Sequence, residues 1–390
     1  MGNNMTSTEH SRNVPQLRFP EFEGEWVEKK LGEIAERSPH KYNPEKSNKI
    51  YNCIELESIE QNTGKLIKLF KSNELKSIKN KFNVGEILFG KLRPYLKKFY
   101  FTEFDGVCSS EIWVLKSKKT NNRFLYYLIQ TIKFNYQVNL TIGSKMPRAD
   151  WNIIHNSQFI IPNLFPEQTK IATFLTVVDK RINLLQKKRA ELSQYKKGVM
   201  QKLFSHELRF KKDDGSDFPD WEEKKLGSVT DIIKGKQLNK SELTEIGTYP
   251  AINGGIEPSG YADEWNTIEN TITISEGGNS CGYVNYIKTK FWSGGHCYSL
   301  LNLKESIDNT FLYQSLKYYQ NRIMRLRVGS GLPNIQKGDI HNFKLPFPKK
   351  EEQQKIANFL SSLDKSIEKV EKQIEASQVW KKGLLQKMFV

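Results

Sequence analysis

The sequence predicts an α+β chain written twice. Two globular units alternate with two long helices that form an antiparallel coiled coil, a pseudo-two-fold internal repeat. Three observations carry this. Residues 167–204 and 352–389 align without a gap at an offset of 185, with 17 of 38 positions identical. Both segments carry a heptad stripe and contain no proline. Before each lies a turn-rich stretch mixing short strand-like runs with one or two helical patterns.

The repeat has many landmarks. EQTKIATFL matches EQQKIANFL, and KKGVMQKLF matches KKGLLQKMF. Upstream, PEFEGEWVEKKLG ending at Gly32 pairs with PDWEEKKLG ending at Gly227. Between them Phe124-Leu125-Tyr126 pairs with Phe311-Leu312-Tyr313, and Phe159-Ile160-Ile161-Pro162 with Phe343-Lys344-Leu345-Pro346. The expected layout is a disordered N-terminus at 1–16, a first globular unit at 17–163 and a first helix at 164–206. A second unit follows at 207–347, then a second helix at 348–390. Within the units, strands are expected at 86–89, 112–115, 271–275 and 298–303, and helices at 122–133 and 309–324.

In the first long helix the stripe runs through Ile171, Leu175, Val178, Ile182, Leu185, Leu192, Val199 and Leu203, interrupted by Arg189 and Lys196. In the second it runs through Ile356, Leu360, Leu363, Ile367, Val370, Ile374, Leu384 and Met388, interrupted by Ser377 and Lys381. Pro166 and Pro348 are expected to precede the helices. A helix of this length spans roughly 57 Å and needs a partner to bury its stripe. The nearest partner is the other copy. The chain must build a globular unit and then return, so the pair is expected to be antiparallel, with the units at opposite ends of a rod.

Lys and Arg number 60 against 44 Asp and Glu, a net charge of +16. That surplus favours a polyanionic partner, nucleic acid or an anionic membrane. No run of 18 apolar residues and no signal-peptide pattern near Met1 appears, so a cytoplasmic chain without a membrane role is expected. Cys53, Cys108, Cys281 and Cys297 form no CxxC pair and read as reduced thiols. Cys281, His296 and Cys297 lack a fourth ligand and finger spacing, so no metal is expected.

Three stretches have the composition of nucleic-acid readers. The first is Lys91, Arg93, Tyr95 and Lys97, opposite Gly277, Gly278 and Asn279 in the second copy. The second is Ser109 and Ser110, before Glu111, opposite Gly294, Gly295 and His296. The third is Lys145 and Arg148, opposite Ser330 and Asn334, with Lys337 just beyond. Lys and Arg suit phosphates and guanine edges, Asn suits adenine, and glycines let backbone amides approach phosphates. The polar residues differ between copies while the frame is kept, which fits two different half-sites.

Catalytic signatures do not complete. Gly85 to Lys91 matches GxxxxGK, but Leu92 replaces the magnesium-binding hydroxyl and Pro94 disfavours the helix that must follow. The E-x-K runs at Glu28 and Glu222 have partner acids only in the same short turn. No methyltransferase tetrapeptide of the NPPY or DPPY kind appears, and the six histidines form no HExxH cluster. Any chemistry is expected to belong to partners.

Taken together, the doubled EQxKIAxFLxxxD…KKGxxQKxF helix, the FPxFxxxWxxxxLG start of the first unit with its four-residue-shorter counterpart FPDWEEKKLG in the second, and the GSxxPR or GSGLPN turn resemble the specificity (S) subunit of type I restriction-modification enzymes. The resemblance covers nearly the whole chain from Leu17. It implies two target-recognition domains, each reading half of a split, asymmetric site in double-stranded DNA, and helices that set the gap and bind partners. It implies two methyltransferase (M) subunits and restriction (R) subunits as those partners. S-adenosylmethionine would sit on M, ATP and magnesium on R, and no cofactor on this chain. The alternative is a stand-alone sequence-specific DNA-binding scaffold or regulator.

Overall fold

The computed structural model describes residues 13–140, 146–329 and 331–390, the side chain of Lys240 apart. It divides into two compact units, residues up to 186 with 372–390, and residues 187–371. The long helices are Phe165–Phe204 and Lys350–Lys387. Unit 1 therefore holds the first half of the first helix and the end of the second. Unit 2 holds the remaining halves.

Unit 1 is built on a four-stranded antiparallel sheet in the order Ala35–Arg37, Ile112–Ser117, Ile87–Gly90, Phe99–Phe101. Unit 2 repeats it as Asp231–Lys234, Cys297–Leu301, Thr271–Ser275, Val284–Ile287. Registers agree as well as orders. Ile112 faces Gly90, and Cys297 faces Ser275, so these two strands are displaced by the same 185 positions as the helices. The units differ in a second sheet, which has five strands in unit 1 and three in unit 2. In both, the first strand pairs antiparallel with the last. Val27–Lys30 lies against Gln158–Ile161, and Glu222–Lys225 against Lys344–Phe347. The E-x-K runs belong to these closing strands.

Local chemistry shifts several expected boundaries. The helix expected at 122–133 is two, Asn122–Leu128 and Ile132–Val138, because the Thr131 hydroxyl caps the second by accepting from the Phe134 amide at 3.3 Å. The one expected at 309–324 is also two, Asn309–Tyr318 and Gln320–Met324, here without a side-chain cap at the break. The strand at 271–275 stands as expected. The one expected at 86–89 begins at Ile87, where Glu86 instead accepts the Asn83 amide at 2.7 Å. The strand expected at 112–115 continues to Ser117. The one expected at 298–303 is Cys297–Leu301 and stops where Asn302 turns left-handed at φ 51°. Pro166 does not precede its helix; it sits inside the first turn, where a missing N–H breaks no helical bond. Residues 1–12 lie outside the described residues. Residues 13–16 are held rather than disordered: the Trp26 amide donates to Asn13 O at 2.8 Å, and Pro15 is buried.

Each long helix begins on a buried carboxylate. Glu167 accepts from Arg18 Nε at 2.7 Å, Arg18 Nη2 at 2.9 Å and Trp26 Nε1 at 3.1 Å. Glu352 accepts from Arg209 Nε at 3.1 Å, Nη2 at 2.8 Å and Trp221 Nε1 at 3.2 Å. Charge at this depth is tolerated because it is paired and fully hydrogen-bonded, and the helix N-terminus favours an anion. The following glutamine ties the turn down: Gln168 donates to Pro162 O, and Gln353 to Pro348 O, both at 2.9 Å.

All sixteen apolar stripe positions are buried or half-buried. In unit 1, Ile171, Leu175, Val178 and Ile182 share a core with Leu384 and Met388. In unit 2, Leu203, Ile356 and Leu360 share another, with Val199 and Leu363 packed against it. The stripe's basic breaks are filled by ion pairs. Arg189 meets Glu371 and Lys196 meets Asp364, both at 2.6 Å. A step of seven forward on one helix is a step of seven back on the other, so within unit 2 the helices run antiparallel. In unit 1 Lys381 meets Asp179 at 2.7 Å. Thus the aspartate of FLxxxD in one repeat pairs with the first lysine of KKG in the other, once in each unit. Tyr127 supports Asp179 at 2.9 Å, and Gln314 supports Asp364 at 2.7 Å.

The glycine closing each WxxxxLG run is set by contact. A Cβ on Gly32 would lie 2.0 Å from the His155 ring, and one on Gly227 1.9 Å from the His341 ring. Among the described residues, no helix is long and apolar enough to cross a membrane. We predict that Gly227→Ala destabilises the chain by about 1–3 kcal/mol by overpacking. Adding His341→Ala should recover much of that loss, a non-additive cycle in denaturation experiments. Additive losses would contradict the contact.

Candidate nucleic-acid interface

The main sheet of each unit delivers two loops to one place, where a segment between two short helices joins them. In unit 1 the turn after Ile87–Gly90, the turn before Ile112–Ser117 and the segment around Arg148 are joined through the backbone. Lys91 N donates to Glu111 O at 2.9 Å, and Arg93 N to Pro147 O and Ala149 N to Lys91 O at 2.8 Å. Leu92 and Arg148 form a bridge. In unit 2 Glu276 N donates to His296 O at 2.9 Å, Gly278 N to Pro333 O at 3.0 Å, and Ile335 N to Glu276 O at 2.9 Å, with Gly277 bridged to Asn334. The bonds match one for one. They make Lys91 equivalent to Glu276, Arg93 to Gly278, Glu111 to His296, and Arg148 to Asn334.

Onto this shared frame the two units place different chemistry. Arg93, Tyr95, Lys97, Ser110 and Arg148 are exposed, while Lys91 and Ser109 are half-buried. Arg148 Nε donates to Glu111 Oε2 at 3.0 Å. In unit 2 the buried Glu276 takes Lys234 at 2.5 Å and Tyr298 at 2.9 Å, and its second oxygen lies 3.4 Å from His296 Nδ1. Burial works against the Glu276 charge, but hydrogen bonds from Lys234 and Tyr298 outweigh it and hold the carboxyl below its ordinary pKa. His296 and Asn279 are exposed; Gly277, Gly278 and Asn334 are half-buried. Lys337 is exposed at the start of the short helix Lys337–Asn342, beyond the joined loops. Lys145 and Ser330 lie outside the described residues.

Two residues near these loops escaped the sequence analysis. A cleft of about 370 Å³ beside Lys91 and Ser110 is lined by Arg37, Lys41, Asn80 and Trp151. Arg37 lies 4.9 Å from the centre of the Trp151 ring, and Lys41 donates to Asn80 Oδ1 at 2.5 Å. No motif marks Arg37 or Lys41; only strand order brings them beside Lys91.

Arg93 adopts φ 51°, ψ 60°, a left-handed conformation that disfavours any side chain, and its equivalent Gly278 has φ 74°. The frame requires that backbone, and unit 1 places a cation there despite the strain. Strain of this kind marks functional positions.

The profile described as "Type I restriction modification DNA specificity domain" matches residues 23–194 and 219–377, most of the chain. The chain belongs to that family. It is 36% identical over 173 residues to a putative type I specificity subunit of Mycoplasma genitalium, a match covering 43% of this chain and 44% of that protein. The chain thus spans less than half the length of that relative. It is 28% identical over 333 residues to the specificity subunit of the MjaVIII type I restriction enzyme of Methanocaldococcus jannaschii, covering 78% and 75%. The crystal structure of a type I restriction-modification S subunit from M. genitalium shares the fold at a TM-score of 0.66 and 20% identity, over 97% of this chain and 99% of that one.

In a family defined by DNA specificity, Arg93 gives a clean test. We predict that Arg93→Gly leaves stability unchanged or raises it by up to about 1 kcal/mol. Affinity for DNA should fall, and the logarithmic salt slope should become shallower by about one. A destabilised variant with unaltered binding would contradict this.

Proposed function

We propose that this chain is the DNA sequence-specificity subunit of a type I restriction-modification complex, with unit 1 and unit 2 each reading one half of a bipartite, asymmetric site. The observation that carries the reading is the matched loop frame. Identical backbone joints hold Lys91, Arg93 and Arg148 in one unit and Glu276, Gly278 and Asn334 in the other. A palindromic site would be met by like residues on like frames; unlike residues suit unlike halves. Lys91, Arg93, Tyr95, Lys97, Ser109, Ser110, Lys145 and Arg148 would serve one half-site. Gly277, Gly278, Asn279, His296, Ser330, Asn334 and Lys337 would serve the other.

Chemistry in this reading is external. Two methyltransferase subunits with S-adenosylmethionine modify adenine, and restriction subunits with ATP and magnesium translocate and cut. This cytoplasmic chain supplies neither cofactor nor catalytic group. The long helices set the spacer and carry the methyltransferase contacts. Their basic surplus, nine basic against three acidic residues in 167–204 and seven against five in 352–389, suits acidic partner faces or DNA.

The test is a methylome. The chain is expressed with a cognate methyltransferase subunit in a methylation-free host, and modified adenines are mapped. We expect one split motif with two unlike halves and a fixed spacer. An unmodified genome, with the methyltransferase shown to be bound, would overturn the proposal in favour of a stand-alone DNA-binding scaffold.

A further inference from the structure

We propose that Arg148 reads a guanine in the half-site bound by unit 1, and that Glu111 is the positioning residue that aims it. This rests on the specificity-subunit reading and adds which side chain decides which base.

The guanidinium of Arg148 is half exposed and is held at one edge, its Nε donating to Glu111 Oε2 at 3.0 Å. Guanidinium has five donors in a fixed plane. With Nε occupied, the two terminal nitrogens remain as a fork, the arrangement that pairs with O6 and N7 of guanine in the major groove. The backbone beneath is equally fixed. Pro147 and Ala149, on either side of Arg148, bond to Arg93 and Lys91, and Lys91 bonds to Glu111. Arginine and carboxylate are thus mounted on one hydrogen-bonded frame, as a reader needs to be to distinguish bases rather than merely touch them.

Neither stability nor affinity accounts for Glu111. An exposed ion pair contributes little to folding. A carboxylate among Lys91, Arg93 and Arg148 weakens the attraction for phosphate. Orientation is what it supplies. Unit 2 provides the internal comparison: Asn334 stands in the place of Arg148 and His296 in that of Glu111. The pair belongs to one unit only, as a base-specific device for one half-site would.

The experiment uses the chain assembled with its methyltransferase subunits, the wild-type motif being mapped first. Methylation is then measured on duplexes carrying each base at every position of both halves. Arg148→Lys keeps the charge and loses the fork; it should relax one G·C pair of one half by about tenfold or more and leave the other half intact. Glu111→Ala should relax the same pair, while Glu111→Gln, which retains an acceptor for Nε, should keep discrimination. A plain charge effect would instead make both Glu111 variants alike, methylating all sites faster. Equal behaviour of the two, a relaxed A·T pair, or an unaltered motif in Arg148→Lys would overturn the inference. If Glu111→Ala fails to fold in a thermal melt, Arg148→Lys and Glu111→Gln still decide it. Absence of any split motif in the wild type would overturn the functional reading itself.

Discussion

A carboxylate buried at the first turn of each long helix is the constraint from which the rest follows. Glu167 and Glu352 are almost wholly inaccessible, and each is matched by an arginine fork and an indole N–H from the start of its own globular unit. Removing either partner would strand a charge in the interior, a loss of several kcal/mol for a buried pair. Segments far apart in sequence are thereby locked together: the LRF run and the nearby tryptophan ahead of the closing strand on one side, and the helix start on the other. With the helix start fixed, its stripe can enter the core of the unit, and the aspartate one turn beyond FL can meet the lysine of the other repeat.

Above this anchor the chain separates what must be the same from what must differ. The closing strands, the main sheet and the glycine–histidine contact occur twice in matching register. The loops at the end of the sheet keep their backbone joints and change their side chains. The contrast is plainest at Arg93 and Gly278, where one backbone geometry is met once by a strained cation and once by the residue best suited to it. The charge of the frame also inverts, Lys91 standing where unit 2 buries Glu276.

Much of this was legible in the amino-acid order. The duplication, the helices and their stripe depend on short-range periodicity, which one sequence displays directly. The alignment of Ser109-Ser110-Glu111 with Gly294-Gly295-His296 already named one of the three loops that meet within each unit. What was hidden depends on long-range contact. Arg18 and Arg209 sit in a repeated LRF that could have been noticed, but their pairing with Glu167 and Glu352 spans more than a hundred residues. The helix break at Thr131 is a local cap that overrides a continuous apolar pattern. The second sheets, five strands against three, left no periodic trace because their strands are short. Arg37 and Lys41 join the cleft only through strand order.

The most direct measurement is hydrogen exchange on the assembled complex, with and without a duplex carrying its motif. Amide protection should concentrate at residues 91–98, 109–111 and 146–150 in unit 1, and at 276–280, 294–296 and 331–337 in unit 2. The far strands of the second sheets, Phe70–Lys71 and Gly260–Ala262, should be unaffected. Protection of those strands with the joined loops unchanged would contradict the assignment of these loops as the surface that reads DNA.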